Sequence, residues 1–183
     1  RTYEALRDAG ALEGKRLIVV STAESEMFGS DHSDLVRQLD PGASFYYSNS
    51  LSEDEWAGRD RVLRWLWATC AAPAAADVRP EPGLVNIIGP TYGCFNAPSD
   101  LHEVRRLIEG AGGRVNMVFP YEARLADMPR LAAAQVNVAL YKEFGGGLAA
   151  DLGQPALAAP FGMAETTAFV RELGRLLGAS AQA

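Results

Sequence analysis

The second half of the chain alternates short, continuous apolar runs with longer segments of helical periodicity. The apolar runs predict strands at 84–88, 114–119, 136–140 and 156–159. Runs that are apolar throughout are typical of strands covered on both faces of a sheet. The segments between and after them predict helices at 100–109, 124–133, 144–152 and 165–177. Because crossovers between parallel strands are right-handed, this order predicts a doubly wound parallel α/β sheet.

The chain is expected to divide into two lobes. Residues 71–83 are rich in alanine and proline and lack an apolar period, so we predict a linker there. The lobe at 84–183 is then a Rossmann-like domain of four β-α units. The lobe at 1–70 is a partial α/β lobe whose last helix, at 53–70, is predicted to begin with a capping box of Ser52 and Glu55. Its other predicted elements are helices at 2–9 and 31–39 and strands at 17–21 and 43–47.

Composition excludes several classes of function. A formal charge of −6 and a pI near 5.0, without clustered Lys and Arg, argue against a nucleic-acid surface. The apolar runs are too short to cross a bilayer and no signal-peptide pattern is present, so we expect a cytoplasmic protein without a membrane span. The two cysteines, Cys70 and Cys94, form no CxxC pair, and we expect no metal site in this chain alone.

A ligand site is expected where the parallel strands end, because open α/β sheets bind ligands at that edge. The loops there are 89–99, 120–123, 141–143 and 160–165. Glycine and proline in these loops are also what any α/β fold uses to turn the chain. For Cys94, a small apolar loop residue is favoured over a thiolate activated by a helix N-terminus. We expect these side chains to contact a ligand: Tyr92, Cys94, Phe95, Asn96, Tyr121, Tyr141 and Thr166.

Four segments carry a resemblance to a known family. They read NIIGPTYGCFNAPSDL at 86–101, GRVNMVFP at 113–120, VNVALYKEFG at 136–145 and APFGMAETTAF at 159–169. In this order they resemble the nitrogenase component 1-like reductases of chlorophyll biosynthesis, and within that family most closely the Z-type polypeptide of chlorophyllide a reductase. The resemblance extends more loosely to LSEDEW at 51–56 and RWLW at 64–67.

The resemblance implies a function within a complex. A Z-type subunit pairs with a Y-type catalytic subunit, shares a 4Fe–4S cluster with it, and receives electrons from an ATP-binding iron–sulfur reductase protein. The complex reduces a ring double bond of its tetrapyrrole substrate in bacteriochlorophyll biosynthesis. The resemblance implies that the cluster's cysteine ligands belong to N-terminal segments, which we expect to lie outside this chain. We therefore expect a fragment of a larger subunit that is inactive alone and whose own residues hold no metal.

The resemblance also suggests two proton donors, Glu143 and Glu165, with a general acid role. The alternative for each is a carboxylate stabilised by a helix N-terminus. The chain departs from the family where Ala23 replaces a cysteine found in some relatives, and at glycines 145–147, which are expected to loosen a helix start.

Two other functions stay open. The first is a dark protochlorophyllide reductase subunit or another nitrogenase-like scaffold, which would bind a different large ligand. The second is a non-catalytic α/β ligand-binding module. ATP binding by this chain itself is not expected, because the acidic turn 21–31 lacks the GxxxxGK[ST] pattern.

Overall fold

The computed structural model describes residues 1–29 and 31–178. The chain forms two compact units, one spanning Arg1–Gly58 and the other beginning at Arg59. The boundary between them lies within the helix Glu55–Leu66. The division of the whole protein into domains around 71–83 stays a prediction.

The first unit contains a small parallel sheet. Its elements are α1 (Thr2–Asp8), β1 (Ile18–Val20), α2 (Ala23–Met27), α3 (Ser33–Leu39) and β2 (Ser44–Tyr46). Strands β1 and β2 pair in parallel, with Val19 opposite Phe45. The predicted α/β character of this region is confirmed.

The helix α4 (Glu55–Leu66) begins later than its sequence suggested. Asp54 Oδ1 accepts a hydrogen bond from the Ala57 N–H at 2.8 Å, which is the geometry of an N-cap. The predicted capping box is wrong, because the Ser52 hydroxyl instead donates to the Asn49 carbonyl at 3.3 Å.

Helical structure continues into the stretch that was predicted to be a linker. A π-helical turn, Trp67–Ala71, is followed by the short helix α5 (Ala72–Ala75). Ala71 and Ala75 are buried, and Pro73 lies in the first turn of α5, where its missing N–H costs no helical hydrogen bond. Alanine's high helix propensity offsets the disruption expected from the prolines.

The second unit is built on a four-stranded parallel sheet. Its strands are β3 (Leu84–Ile88), β4 (Arg114–Phe119), β5 (Val136–Ala139) and β6 (Ala156–Ala158). Their order is β4-β3-β5-β6, and every pair is parallel. The predicted parallel sheet is confirmed, with strand ends within one residue of expectation. Because the chain leaves β3 for β4 on one side and returns to β5 on the other, the strand order reverses between β3 and β5.

Helices cover both faces of this sheet, as the doubly wound prediction requires. The helices are α6 (Ala97–Gly110), a 3₁₀ helix (Leu125–Ala133), a 3₁₀ turn (Lys142–Phe144), α7 (Gly146–Asp151) and α8 (Gly162–Leu177). One core contains Leu101 and Ile108 of α6 with Phe169 of α8. The other contains Leu63 of α4 with Leu131 and Leu148.

Two predicted α-helices differ in type. The segment predicted as a helix at 124–133 is 3₁₀ rather than α, and it contains Pro129, which cannot donate a backbone hydrogen bond. The segment predicted at 144–152 begins as a 3₁₀ turn and continues as α7 from Gly146.

Side-chain amides join neighbouring strands of the sheet and donate hydrogen bonds to carbonyls at the end of the 3₁₀ helix. Asn116 Nδ2 donates to Asn86 Oδ1, and Asn86 Nδ2 donates to Asn137 Oδ1, each at 2.8 Å. The same nitrogens of Asn116 and Asn86 donate to the carbonyls of Arg130 and Leu131. Carbonyls at the end of a helix lack partners within the helix itself. The role of these amides is therefore structural.

Candidate functional site

The strand order places the candidate site at the carboxyl ends of β3 and β5. The loops that follow these strands lead to helices on opposite faces of the sheet, which is the topology at which open α/β sheets bind ligands. The loops approach closely at Gly89 and Gly145. A Cβ at Gly145 would lie 2.9 Å from the Ile88 carbonyl oxygen, and Gly89 has a φ of +111°. Glycine is required at both positions, at one by space and at the other by backbone conformation.

The start of α7 is held by α4 rather than loosened by its glycines. The Gly147 N–H donates to Asp60 Oδ1 at 2.9 Å, and a Cβ at Gly147 would collide with the same carboxylate. Arg64 adds two hydrogen bonds to Asp151, at 2.6 and 3.1 Å. The expectation of a loosened helix start is therefore wrong, because a carboxylate from another helix caps it.

Arg59 forms a polar cluster at the end of β3. Its Nη1 donates to Thr91 Oγ1 at 3.3 Å and approaches Cys94 Sγ at 3.6 Å. Its guanidinium carbon lies 5.2 Å from the centre of the Phe144 ring. Cys94 is a half-buried free thiol with polar neighbours rather than a purely apolar loop residue. The sequence offered no signal for this cluster, because Arg59 and Cys94 are 35 positions apart.

Tyr141 connects the loop that follows β5 with the first turn of α6. Its hydroxyl donates to Asp100 Oδ2 at 2.8 Å, and its ring stacks on Phe144 at a centroid distance of 5.0 Å. Asn96, with a left-handed φ of +63°, donates from its amide to the other Asp100 oxygen at 3.1 Å. Burial and the hydrogen bond to Asp100 raise the pKa of Tyr141 well above its ordinary value. The phenol therefore stays protonated and acts as a hydrogen-bond donor.

A cavity of about 760 Å³ lies where β5 and β6 end against α8. This volume falls within the range of roughly 300–1,000 Å³ that is typical of small-molecule sites. A second cavity of about 200 Å³ contains Asp100 and Thr166, and Tyr141 and Phe161 line both. The larger cavity is lined by the apolar side chains Leu140, Leu157, Ala159, Pro160, Phe161 and Phe169, and by the charged side chains Lys142, Glu143, Glu165 and Glu172.

The structure gathers some of the predicted site residues. Tyr141, Glu143 and Glu165 line the larger cavity, and Thr166 lines the smaller one. The Thr166 hydroxyl already donates to the Gly162 carbonyl at 2.8 Å. Tyr141 donates to Asp100 and Glu165 accepts from the Phe161 N–H, so Glu143 is the one of these four whose side chain has no hydrogen-bond partner among residues 1–29 and 31–178.

The remaining predicted residues are not among those that line these two cavities. Tyr92 and Tyr121 pack on each other with ring centres 4.5 Å apart, and Tyr121 lines two small cavities beside β4 and α6. Phe95 is 97% exposed, while Cys94 and Asn96 are held in the polar contacts described above. Their role in ligand binding stays a prediction.

The corresponding edge of the first unit is closed by its own hydrogen bonds. Glu26 Oε1 accepts from the hydroxyls of Ser21 and Ser48, each at 2.6 Å, and Oε2 accepts from Ser50 at 3.3 Å. Burial alone would raise the pKa of Glu26, but these hydroxyls and the backbone at Leu51 outweigh it and lower the pKa to about 2. The carboxylate therefore stays charged and internally bound.

The side chains of the part of the chain that the structure describes do not fit an iron–sulfur cluster. Within residues 1–29 and 31–178, no group of three or more His, Cys, Asp or Glu side chains is arranged to hold a metal ion. Cys70 and Cys94 are free thiols. In the same part of the chain, no helix is long and apolar enough to cross a membrane.

Comparison with known proteins identifies similar sequences. A model of the family described as nitrogenase component 1 type oxidoreductase matches residues 2–183. The chain is 35% identical to the B-type polypeptide of light-independent protochlorophyllide reductase from Methylobacterium radiotolerans, covering 97% of this chain and 36% of that protein. It is 38% identical to the same polypeptide from Chloroherpeton thalassium, covering 83% of this chain and 28% of that protein. The chain thus spans about a third of the length of these curated relatives.

The fold also matches a solved structure. A structure titled "Nitrogenase Cp1 at pH 6.5" aligns with a TM-score of 0.68 at 16% identity, covering 100% of this chain and 45% of that one. At this identity the match concerns the fold alone, and it confirms the predicted nitrogenase-like α/β architecture. The names of the two sequence relatives agree with the alternative of a dark protochlorophyllide reductase rather than with the Z-type polypeptide of chlorophyllide a reductase.

Proposed function

This chain belongs to the nitrogenase component 1 type oxidoreductase family, and from that premise we propose that it is part of a catalytic subunit that reduces a ring double bond of a chlorophyll-type tetrapyrrole. The observation that carries the proposal is the cavity of about 760 Å³ at the carboxyl edge of the second sheet. Its apolar wall suits a large, flat ring system, and its carboxylates suit a reaction that consumes protons.

Two substrates are consistent with this proposal. The segments at 86–101, 136–145 and 159–169 favour chlorophyllide a, through their resemblance to the Z-type polypeptide of its reductase. The sequence relatives are named for protochlorophyllide reduction, which favours protochlorophyllide. Both reactions add two electrons and two protons across a carbon–carbon double bond, so the same chemistry is expected of the site.

Within that reaction, the chain's own residues would bind the ring and deliver protons. Glu143 and Glu165 are the proposed proton donors, since both line the larger cavity. Glu165 is also an acceptor for the Phe161 N–H at 3.0 Å, so its carboxylate has a fixed position. Tyr141 is proposed to orient the ring through its hydroxyl and its aromatic face. Further ligand contacts are proposed at the same edge from Tyr92, Cys94, Phe95, Asn96, Tyr121 and Thr166.

The electrons would come from outside the described residues. We propose a Y-type catalytic subunit that shares a 4Fe–4S cluster, and an ATP-binding iron–sulfur reductase protein as the electron donor. The ligands of such a cluster would lie outside the part of the chain that the structure describes. The complex would assemble in the cytoplasm.

The test is anaerobic purification of the native-length protein from its own cells, with mass spectrometry of the proteins that purify with it. Recovery of a cysteine-bearing partner and an ATP-binding iron–sulfur protein, with ATP-dependent reduction of a tetrapyrrole, would support the proposal. Assays with chlorophyllide a and protochlorophyllide in parallel would identify the substrate. An iron-free homomeric preparation that binds a ligand without reducing it would favour the non-catalytic module instead.

Two variants then test the proton donors. Glu143→Gln and Glu165→Gln each keep the shape of the side chain but remove its acid. Loss of kcat with little change in KM, in one variant only, would identify the donor. Equal rates for both variants and the parent would exclude both residues from proton transfer.

A further inference from the structure

The charged residues of the larger cavity fall into two pairs. Glu172 is already neutralised, because both of its oxygens accept from Arg175, at 2.6 and 2.8 Å. Glu165 accepts the Phe161 N–H at the start of α8. Glu172 is therefore paired with a cation, and Glu165 is held by a backbone donor.

Lys142 and Glu143 have no such internal partner. Within residues 1–29 and 31–178, neither side chain makes a hydrogen bond or ion pair, although both line the cavity. Among the described residues that line it, Lys142 is also the only cation. Its ammonium group is therefore the positive charge that this cavity can offer to a ligand.

The backbone at Lys142 is held in place. The Leu140 N–H donates to the Ile88 carbonyl at 2.8 Å, and the Phe144 N–H donates to the Tyr141 carbonyl at 3.2 Å. The position of Lys142 relative to the apolar wall is thus set by the sheet. A lysine side chain can lie along such a wall and present its ammonium group at the end.

We propose that Lys142 is a specificity-determining residue that binds a carboxylate of the tetrapyrrole, an inference that rests on the function proposed above. Chlorophyllide-type pigments carry a free carboxylate on an apolar ring, and esterified pigments do not. With the carboxylate at Lys142, the ring would lie against Leu157, Phe161 and Phe169. The cavity therefore selects the acid over the ester.

The experiment uses the native-length protein in its assembled complex and measures KM and kcat for the free-acid pigment and its methyl ester. For the parent complex, we expect the KM of the acid to be about fivefold lower than that of the ester, which is the effect expected of one solvent-accessible ion pair. Lys142→Gln should raise the KM for the acid by about fivefold and leave both the ester's KM and kcat unchanged. Lys142→Arg should keep the preference for the acid over the ester.

The matched control is Lys15→Gln, which removes the chain's other lysine, an exposed residue of the first unit. It should change neither pigment's KM. If the parent complex reduces both pigments with equal KM, or if Lys142→Gln leaves the preference intact, the inference is overturned while the proposed function stands. If the parent complex reduces no tetrapyrrole, the proposed function fails and the inference fails with it.

Discussion

In both units the parallel strands end in polar loops, but the polar side chains of those loops differ in whether they have partners within the protein. At the first edge, the Glu26 carboxylate is bound by three serine hydroxyls and is 8% exposed. At the second edge, Lys142 and Glu143 line an open cavity without internal partners among residues 1–29 and 31–178. A position at the carboxyl edge of a sheet is therefore not enough to make a site. What matters is whether the polar groups there are already satisfied within the protein.

The largest effect should come from adding a methyl group where the two loops of the second edge approach each other closely. Gly145→Ala places a methyl group against the backbone of Ile88 and Gly89, which cannot move without shifting β3. We expect a loss of about 2 kcal/mol in the free energy of unfolding, measured by urea denaturation.

The matched control is Gly146→Ala, one residue further along. A Cβ there meets nothing within 4 Å. Because alanine is the better helix former, we expect a gain of up to about 1 kcal/mol. Equal losses in the two variants would mean that the close approach of the loops is not what requires glycine at 145.

The next effect should appear at the first edge, as a dependence on pH. The folded pKa of Glu26 is about 2, below its ordinary value of 4.5, so its stabilising contribution is present above pH 4.5. The contribution is lost as the pH falls from 4.5 towards 2. Glu26→Gln should lower the melting temperature at pH 7 and reduce the loss of stability on acidification.

Glu13→Gln, at an exposed residue of the same unit, is the control. It should leave the slope of stability against pH unchanged between about pH 2 and 5. An unaltered acid slope in Glu26→Gln would show that the serine hydroxyls do not hold the carboxylate in its charged form.

A smaller effect is expected at the hydrogen bond between the loop that follows β5 and α6. Tyr141→Phe removes the hydrogen bond to Asp100 but keeps the ring stacked on Phe144. We expect a loss of about 1 kcal/mol in the free energy of unfolding. Tyr92→Phe, which alters an exposed ring, should be neutral, and a matching loss there would contradict the assignment.

The smallest effect should come from the ion pair that joins α4 to α7. Arg64→Gln removes two hydrogen bonds to Asp151, but both side chains are accessible to solvent. We expect a loss of about 0.5 kcal/mol that shrinks further in high salt. Arg106→Gln, which breaks a local pair with Glu103, is the control. A loss above about 2 kcal/mol at Arg64 alone would show that this pair stabilises the protein more than a solvent-accessible ion pair does.

Local patterns predicted much of the fold and the position of part of the candidate site. The continuous apolar runs located all four strands of the second sheet, and the strand ends located the edge at which Tyr141, Glu143, Glu165 and Thr166 line cavities. The patterns misjudged the segment at 124–133, because helical periodicity does not distinguish an α-helix from a 3₁₀ helix. They also predicted no helix at residues 72–75, where the structure has the short helix α5.

The sequence by itself determined that the second unit is a parallel sheet, because burial on both faces of a strand requires apolar residues along its whole length. It also placed the loops that follow these strands at one edge of the sheet. Only the tertiary structure decided which side chains meet there. Arg59 reaches Cys94, Asp60 caps Gly147, and Tyr141 reaches Asp100 across separations of 35, 87 and 41 positions. A periodic pattern reports which face of an element is buried, whereas these contacts depend on how distant elements pack.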